Sequence, residues 1–181
     1  MLQIVVQIAP EGWDEKNRIF IDPKTVNLQL EHSLISISKW ESKWHKPFLS
    51  SEQKTEEETI DYIKFMTLTQ NVNPDTYSHL SRANIEEINA YIGDPKTATT
   101  FSNDKQGKRN QEIITSELIY YWMIALNIPF ECQKWHLNRL LTLIRVCEVK
   151  NNPGKKLSQR QIMSNNAALN AARRKKYHTK G

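Results

Sequence analysis

The residues best suited to bind a metal ion are Cys132, His136 and Cys147. Cys132 and His136 lie four positions apart, which places them on one face if residues 131–150 form a single helix. A structural zinc ion takes four ligands, and no CxxC or HxxxH pair nearby supplies the others. The spacing therefore favours a core thiol beside a partly buried imidazole, and the sequence predicts neither a metal site nor a cofactor.

Other reactive side chains are scattered along the chain. None of the serines sits in the glycine-flanked turn that exposes a catalytic nucleophile, and the five glycines form no phosphate-binding loop. The glutamates at 56–58 are typical of a solvated helix start. The sequence thus predicts a protein that is not an enzyme. The side chains that could act as bases or nucleophiles are His32, His45, His79, Ser33, Ser36 and Ser38.

The chain has five tryptophans and six tyrosines, and large aromatic side chains often anchor protein interfaces. Tyr120, Tyr121 and Trp122 are consecutive, so on a helix at least one of them must point away from the core. Burial in a core is the commoner fate of a tryptophan, so core packing stands beside partner binding as an alternative. The residues predicted to bind a partner are Trp40, Trp44, Tyr120, Tyr121, Trp122 and Trp135.

The net charge of +5 is unevenly distributed. Residues 151–181 carry eight basic residues and no carboxylate. Subtracting these eight from the 25 basic residues of the chain leaves 17 against 20 acidic residues, a net charge of −3 for residues 1–150. Binding to a polyanion would therefore depend on the tail and its basic cluster, Arg173, Arg174, Lys175 and Lys176. A solvated tail is the more frequent meaning of such a run, so nucleic acid is not the expected partner.

Several features bear on the compartment. Two cysteines form no disulfide framework, which favours a reducing environment. The N-terminal segment has no basic region and breaks at Pro10, so it does not have the pattern of a signal peptide. The longest apolar run, 118–130, contains Asn127 and Pro129 and is too short to cross about 30 Å of hydrocarbon. The sequence predicts an intracellular protein without membrane contact.

The first 32 residues have the pattern of β-strands. Branched residues dominate 2–8 and 18–21, and residues 25–30 alternate between apolar and polar. Asp22, Pro23 and Lys24 supply a turn between the last two segments. We predict a two- or three-stranded antiparallel sheet whose apolar face packs against the helices that follow.

From Ser33 onwards the apolar residues recur at helical spacing. Thr55 with Glu58, and Ser158 with Gln161, match capping boxes. The second box opens a basic C-terminal helix that we expect to dock weakly. Helices are predicted from 33 to about 45, at 55–69, 73–80, up to 92, at 112–128 and at 131–150, with a polar loop at 94–111.

The predicted fold is α+β and mainly α: a small N-terminal antiparallel sheet, a multi-helix bundle and a basic C-terminal helix. Residues 1–152 fit one globular domain with a β-rich start at 1–32 and a helical part at 33–152, and residues 153–181 form the tail. The helix at 112–128 is apolar nearly all round, as expected of a helix packed on several sides.

Three segments carry a resemblance to a known family: LEHSLISISKWESKWHKPFL (30–49), EIITSELIYYWMIALNIPFECQKWHLNRLLTLIRVC (112–147) and NAALNAARRKKYHTKG (166–181). They resemble proteins encoded in the structural-gene modules of siphophages, the tail assembly chaperones, and the likeness spans nearly the whole chain. It implies a non-enzymatic bacteriophage protein of the host cell cytoplasm. Its partner would be the long helical tape measure protein, with the tail tube protein as a second candidate and self-association compatible with this role.

Holding an amphipathic helix takes an apolar groove, which the predicted helices 112–128 and 131–150 could wall with Trp122 and Trp135. Two other function classes stay open. The first is a permanent virion component, such as a head–tail connector or minor tail protein. The second is a small nucleic-acid-binding protein acting through residues 155–180.

Overall fold

A computed structural model describes residues 1–14, 18–101 and 113–151, together with the helical positions 163, 167, 170 and 174. The predicted α+β, mainly helical fold class is confirmed. The described strands are β1 (Leu2–Ala9), β2 (Gly12–Asp14), β3 (Ile19–Ile21) and β4 (Lys24–Leu30). The described α-helices are α1 (Leu34–Trp44), α2 (Glu56–Met66), α3 (Arg82–Gly93), α4 (Ser116–Ala125) and α5 (Leu137–Asn151), and 3-10 helices span Pro74–His79 and Phe130–Lys134.

The N-terminal part contains two separate antiparallel strand pairs, and the pair β1–β4 is the predicted small sheet. β1 pairs with β4 from Leu2 opposite Leu30 to Gln7 opposite Thr25, with a bulge after Gln7. Alternate side chains of both strands enter the core because successive residues of a strand point to opposite faces. β2 pairs with β3 in a separate two-stranded sheet. The sequence did not reveal β2, since three residues beside Pro10 are too few to show alternation.

Helix α2 begins where its capping box predicts, whereas the helix predicted at 112–128 spans only Ser116–Ala125. Thr55 Oγ1 accepts from Glu58 N–H, and the Glu58 carboxylate accepts from Thr55 N–H (2.8 Å). α2 ends at Met66, three residues earlier than predicted. The chain turns there into extended backbone, and Leu68 N–H donates to Gln29 O of β4 (2.7 Å). Pairing with the strand thus ends the helix.

The core lies between the β1–β4 sheet and the helices. α1 and α2 pack against each other, and Trp40 of α1 is 1% exposed. Its indole Nε1 donates to Glu58 O (2.8 Å), so the polar atom of this buried ring is satisfied. The Phe48 ring lies 5.1 Å from Trp40 and 4.1 Å from Tyr62, measured between centroids. These aromatic rings fill the space between the two helices and the loop that joins them.

The predicted helix at 131–150 is broken. Its first part is the 3-10 helix Phe130–Lys134, and α5 begins only at Leu137. Between them, His136 forms a β-bridge with Ser33, and Leu137 N–H donates to His32 O (2.7 Å). Cys132 and His136 therefore do not share a helix face, and that part of the prediction is wrong. A backbone partner from a distant segment overrides local helical spacing here.

The chain divides into two compact units, Met1–Arg145 and Val146–Gly181, whereas the sequence placed a boundary after residue 152. In the second unit, the described residues 146–151 complete α5, and Met163, Ala167, Asn170 and Arg174 are helical and exposed. Most of the predicted C-terminal helix, including Arg173, Lys175 and Lys176, lies outside the described residues. So do residues 102–111 of the predicted loop, while 94–101 are non-helical as predicted.

Candidate partner-binding surface

Helix α4 is fixed at its N-terminus by two polar contacts. Thr115 Oγ1 accepts a hydrogen bond from Leu118 N–H (3.4 Å), and the Glu41 carboxylate accepts one from Ser116 N–H (2.8 Å). Glu41 belongs to α1, so its side chain ties α4 to a neighbouring helix. A carboxylate at this position also complements the positive end of the helix dipole. These contacts set which face of α4 meets the core.

The two faces of α4 are both apolar, but only one is buried. Ile119 and Met123 are fully buried, whereas Tyr121 and Ile124 are 63% and 61% exposed. Residues three apart on a helix are neighbours, so the two exposed side chains lie side by side. The expectation that this helix packs on several sides is corrected, since one apolar face meets solvent. Because both faces of α4 are apolar, the sequence of this helix cannot distinguish a residue that packs within the chain from one that faces solvent.

Phe130 extends this exposed face. Its ring centroid lies 6.4 Å from that of Tyr120, and it is 53% exposed. Tyr120 is half-buried, and its hydroxyl donates to Gln133 Oε1 (2.9 Å), which connects α4 to the 3-10 helix that follows. Burial raises the pKa of Tyr120. We call Tyr120, Tyr121, Ile124 and Phe130 the α4 surface.

The aromatic residues singled out from the sequence have different positions. Tyr121 points outward, which confirms that the three consecutive aromatics cannot all face the core. Trp40 is a core residue, so we withdraw it from the predicted partner surface. Trp44, Trp122 and Trp135 are half-buried, and partner binding by them stays a prediction. The indole Nε1 of Trp44 is buried with no hydrogen-bond partner in the described part of the chain.

Two histidines meet in the core, an arrangement that the sequence did not reveal. The His32 and His136 rings lie 5.1 Å apart, and both residues are buried. His136 Nε2 donates to Tyr91 O (3.0 Å), and its Nδ1 accepts from Asn138 N–H (3.3 Å), so the neutral ring is satisfied. His32 Nδ1 contacts the Tyr62 hydroxyl. About a hundred residues separate the two histidines, and no local pattern connects them.

Desolvation governs the titration of this pair. Burial lowers the pKa of His32 to about 3, with a further contribution from His136. Burial also lowers the pKa of His136 and raises that of Tyr62. The hydrogen bonds of His136 and the contact of His32 Nδ1 with the Tyr62 hydroxyl connect separate helices and strands. His45 and His79, in contrast, are exposed.

A cavity of about 610 Å³ lies along the outer face of the β1–β4 sheet. Its polar lining consists of amides and a hydroxyl, from Gln3, Asn27, Gln29, Gln70 and Thr69. These groups can donate and accept hydrogen bonds, but they carry no charge and do not titrate near neutral pH. The cavity thus offers hydrogen bonding and not acid–base chemistry.

Metal-binding side chains do not converge within the described ranges. No group of three or more histidine, cysteine, aspartate or glutamate residues there could hold an ion. Cys132 is buried, which raises the pKa of its thiol, and Cys147 is half-buried. Over the same residues, no helix has the length and apolar character needed to cross a bilayer.

The exposed apolar α4 surface is thus the feature that a partner could use. Among the described residues, the buried side-chain polar atoms other than Trp44 Nε1 have hydrogen-bond partners. Comparisons with protein-family models, with curated proteins and with solved structures gave no match for this chain.

Proposed function

We propose that this chain is a non-enzymatic, protein-binding chaperone of siphophage tail assembly, which holds an amphipathic helix of the tape measure protein. The observation that carries the proposal is the outward apolar face of α4, where Tyr121 and Ile124 stand next to each other. An amphipathic helix binds a protein by laying its apolar face on such side chains. The resemblance of the three sequence segments to tail assembly chaperones supplies the identity of the partner.

The size of the surface suits reversible binding. Full burial of one large apolar side chain contributes about 1.5–3 kcal/mol, and Tyr121, Ile124 and Phe130 are already partly covered. Association costs about 4–15 kcal/mol in lost freedom of motion. The α4 surface alone therefore gives weak binding, and a tight complex needs further contacts. Weak individual contacts suit a chaperone because it must release its partner.

The double variant Y121S/I124S tests the proposal. Both side chains are exposed, so the fold should be retained while the apolar contact is lost. We expect co-expression with the tape measure protein of the same phage to make that protein soluble and to yield a complex. The variant should lower the soluble amount by about tenfold, equivalent to about 1.4 kcal/mol of binding free energy.

The matched control is F20S, which removes an exposed aromatic side chain from β3 instead. This variant should solubilise the tape measure protein as well as the unchanged chain does. A tape measure protein that stays insoluble and uncomplexed with the unchanged chain would refute the proposal. Equal activity of Y121S/I124S and F20S would exclude the α4 surface.

Mass spectrometry of purified virions separates this function from that of a permanent virion component. A chaperone acts during assembly and leaves, so its peptides should be absent from mature particles or present far below one copy per tail. A stoichiometric amount would instead indicate a connector or minor tail protein.

A further inference from the structure

A cleft of about 310 Å³ lies where the ends of β4 and α3 approach the start of α5. Three basic side chains line it: Lys96, Lys134 and Arg139. Tyr91 and Trp135 supply aromatic walls. We call this site the cationic cleft. It stands out because residues 1–150 as a whole have a net charge of −3.

Two of the cations are held against the aromatic walls. Arg139 Cζ lies 4.2 Å from the centroid of the Trp135 ring, and Lys96 Nζ lies 4.9 Å from that of Tyr91. A guanidinium stacked on a ring keeps its N–H edge available and loses little entropy when it binds. Lys96 also pairs with Asp94 (2.7 Å), an exposed and therefore weak ion pair. Arg139 is thus the best-placed donor.

The acidic residue in the cleft is already engaged. Glu31 accepts a hydrogen bond from the Tyr91 hydroxyl (2.7 Å), and its other oxygen lies 2.8 Å from the amino group of Met1. His136, on the floor, uses its Nε2 proton on the carbonyl of Tyr91. With three cations against one carboxylate, the side chains that line the cleft keep a formal charge of +2 around the neutral His136.

We propose that the cationic cleft binds the carboxylate of an acidic segment in the partner protein. This inference rests on the proposed function and deepens it by naming the charge of the partner. The planar edge of Arg139 matches a carboxylate, and Lys134 adds a second, more mobile charge. The methylene groups of a glutamate would lie against the Trp135 and Tyr91 walls.

A carboxylate fits better than a phosphodiester chain. A nucleic acid long enough to bind would extend past the cleft over a body of net negative charge, which repels it. Free inorganic phosphate is largely doubly charged near neutral pH, so the Glu31 carboxylate would oppose it more than it opposes a singly charged carboxylate. A volume of about 310 Å³ accommodates one or two side chains, not a polymer.

The cleft and the α4 surface are linked through one short segment. Phe130 and Lys134 are the two ends of the same 3-10 helix, and Gln133 between them accepts from the Tyr120 hydroxyl. A partner helix on the α4 surface could therefore place an acidic residue in the cleft. This second contact would supply the affinity that the α4 surface alone lacks.

The test is an NMR titration of the full chain with blocked hexaglutamate, read at the indole N–H signal of Trp135. The variant W135F assigns that signal. The signal of this one ring distinguishes peptide binding at the cleft from binding at the eight basic residues of the tail, which also attract acidic peptides. We expect the Trp135 signal to shift and to saturate as the peptide is added.

The double variant K134Q/R139Q should weaken the peptide affinity measured at Trp135 by about tenfold. The matched control K24Q/K39Q removes two exposed lysines elsewhere and should change the affinity by less than about twofold. An unshifted Trp135 signal, or equal losses in both variants, would overturn the inference. So would inorganic phosphate or oligothymidine shifting the signal at lower concentration than hexaglutamate. Because the peptide is synthetic, failure here leaves the solubility result with the tape measure protein unaffected.

Discussion

Lowering the pH from 7 to 5 is expected to reduce the free energy of unfolding by about 2 kcal/mol through His32 alone. This residue is 2% exposed and touches the hydroxyl of Tyr62 and the ring of His136. Burial, with a smaller contribution from His136, lowers its pKa from 6.5 to about 3. The folded chain therefore holds this ring neutral at pH values where a solvated histidine is charged.

The folded chain loses stability as the pH falls because the unfolded chain binds more protons than the folded chain does. In the unfolded chain the imidazole takes up a proton as the pH falls below about 6.5. In the folded chain it does so only near pH 3. The contribution of the neutral His32 ring to the free energy of unfolding is fully present above pH 6.5. It decreases by about 1.4 kcal/mol per pH unit below pH 6.5 and is lost completely near pH 3. Burial lowers the pKa of His136 as well, so the second ring acts in the same direction.

Urea unfolding at pH 7, 6 and 5 measures this effect. Carboxyl groups titrate mainly below this pH range, so the histidines account for most of the change in unfolding free energy within it. The variant H32N retains an acceptor for the Tyr62 hydroxyl without a titrating ring and should show a flatter pH dependence. The control H79Q removes an exposed histidine and should keep the full dependence. An unfolding free energy that is equal at pH 7 and 5 would contradict the prediction.

The variant E41A is expected to lower the free energy of unfolding by about 3 kcal/mol, because the buried Glu41 carboxylate accepts hydrogen bonds from two other segments of the chain. Its Oε1 accepts from Phe48 N–H and its Oε2 from Ser116 N–H, both at 2.8 Å. Truncation leaves both donors without a partner in the protein, and each lost partner costs about 1–3 kcal/mol. The loss also frees the N-terminus of α4, so the α4 surface should become less ordered.

Two further variants serve as comparisons for the stability loss of E41A. E41Q keeps one acceptor oxygen but turns an amide donor towards the other N–H group, so we expect roughly half of the loss. E87A removes an exposed glutamate of α3 and should change stability by less than about 0.5 kcal/mol. Chemical denaturation of the three proteins at pH 7 compares them. An E41A loss no greater than that of E87A would show that the two hydrogen bonds contribute nothing.

Local signals in the sequence account for most of the secondary structure. The pair Thr55 and Glu58 predicts the first turn of α2 because both partners of a capping box lie within four residues. The change to helical spacing at Ser33 predicts the start of α1, and Ser33 is the N-cap of that helix. Strand β1 follows from its run of branched residues, and β4 follows from the alternation of apolar and polar residues at 25–30. In each case the interacting groups are close along the chain.

Features that depend on distant residues could not be predicted. The helix break at His136 arises from pairing with Ser33, and the meeting of His32 with His136 has no sequence pattern. The burial of Trp40 and the exposure of Tyr121 depend on which helix faces meet. Aromatic composition indicated an interaction surface, but only tertiary packing distinguishes a core ring from an outward one. The cationic cleft likewise combines residues from four separate segments.

The β-bridge between Ser33 and His136, with the hydrogen bond from Leu137 N–H to His32 O, closes a loop of about a hundred residues. Closing so long a loop carries an entropic cost, and contacts of high sequence separation slow folding. The capped first turns of α1 and α2 can form earlier, because their contacts are local. The contact between the His32 and His136 rings can therefore form only after the strand-like residues before α5 have been synthesised. This part of the core is therefore completed only once the chain through Leu137 is available.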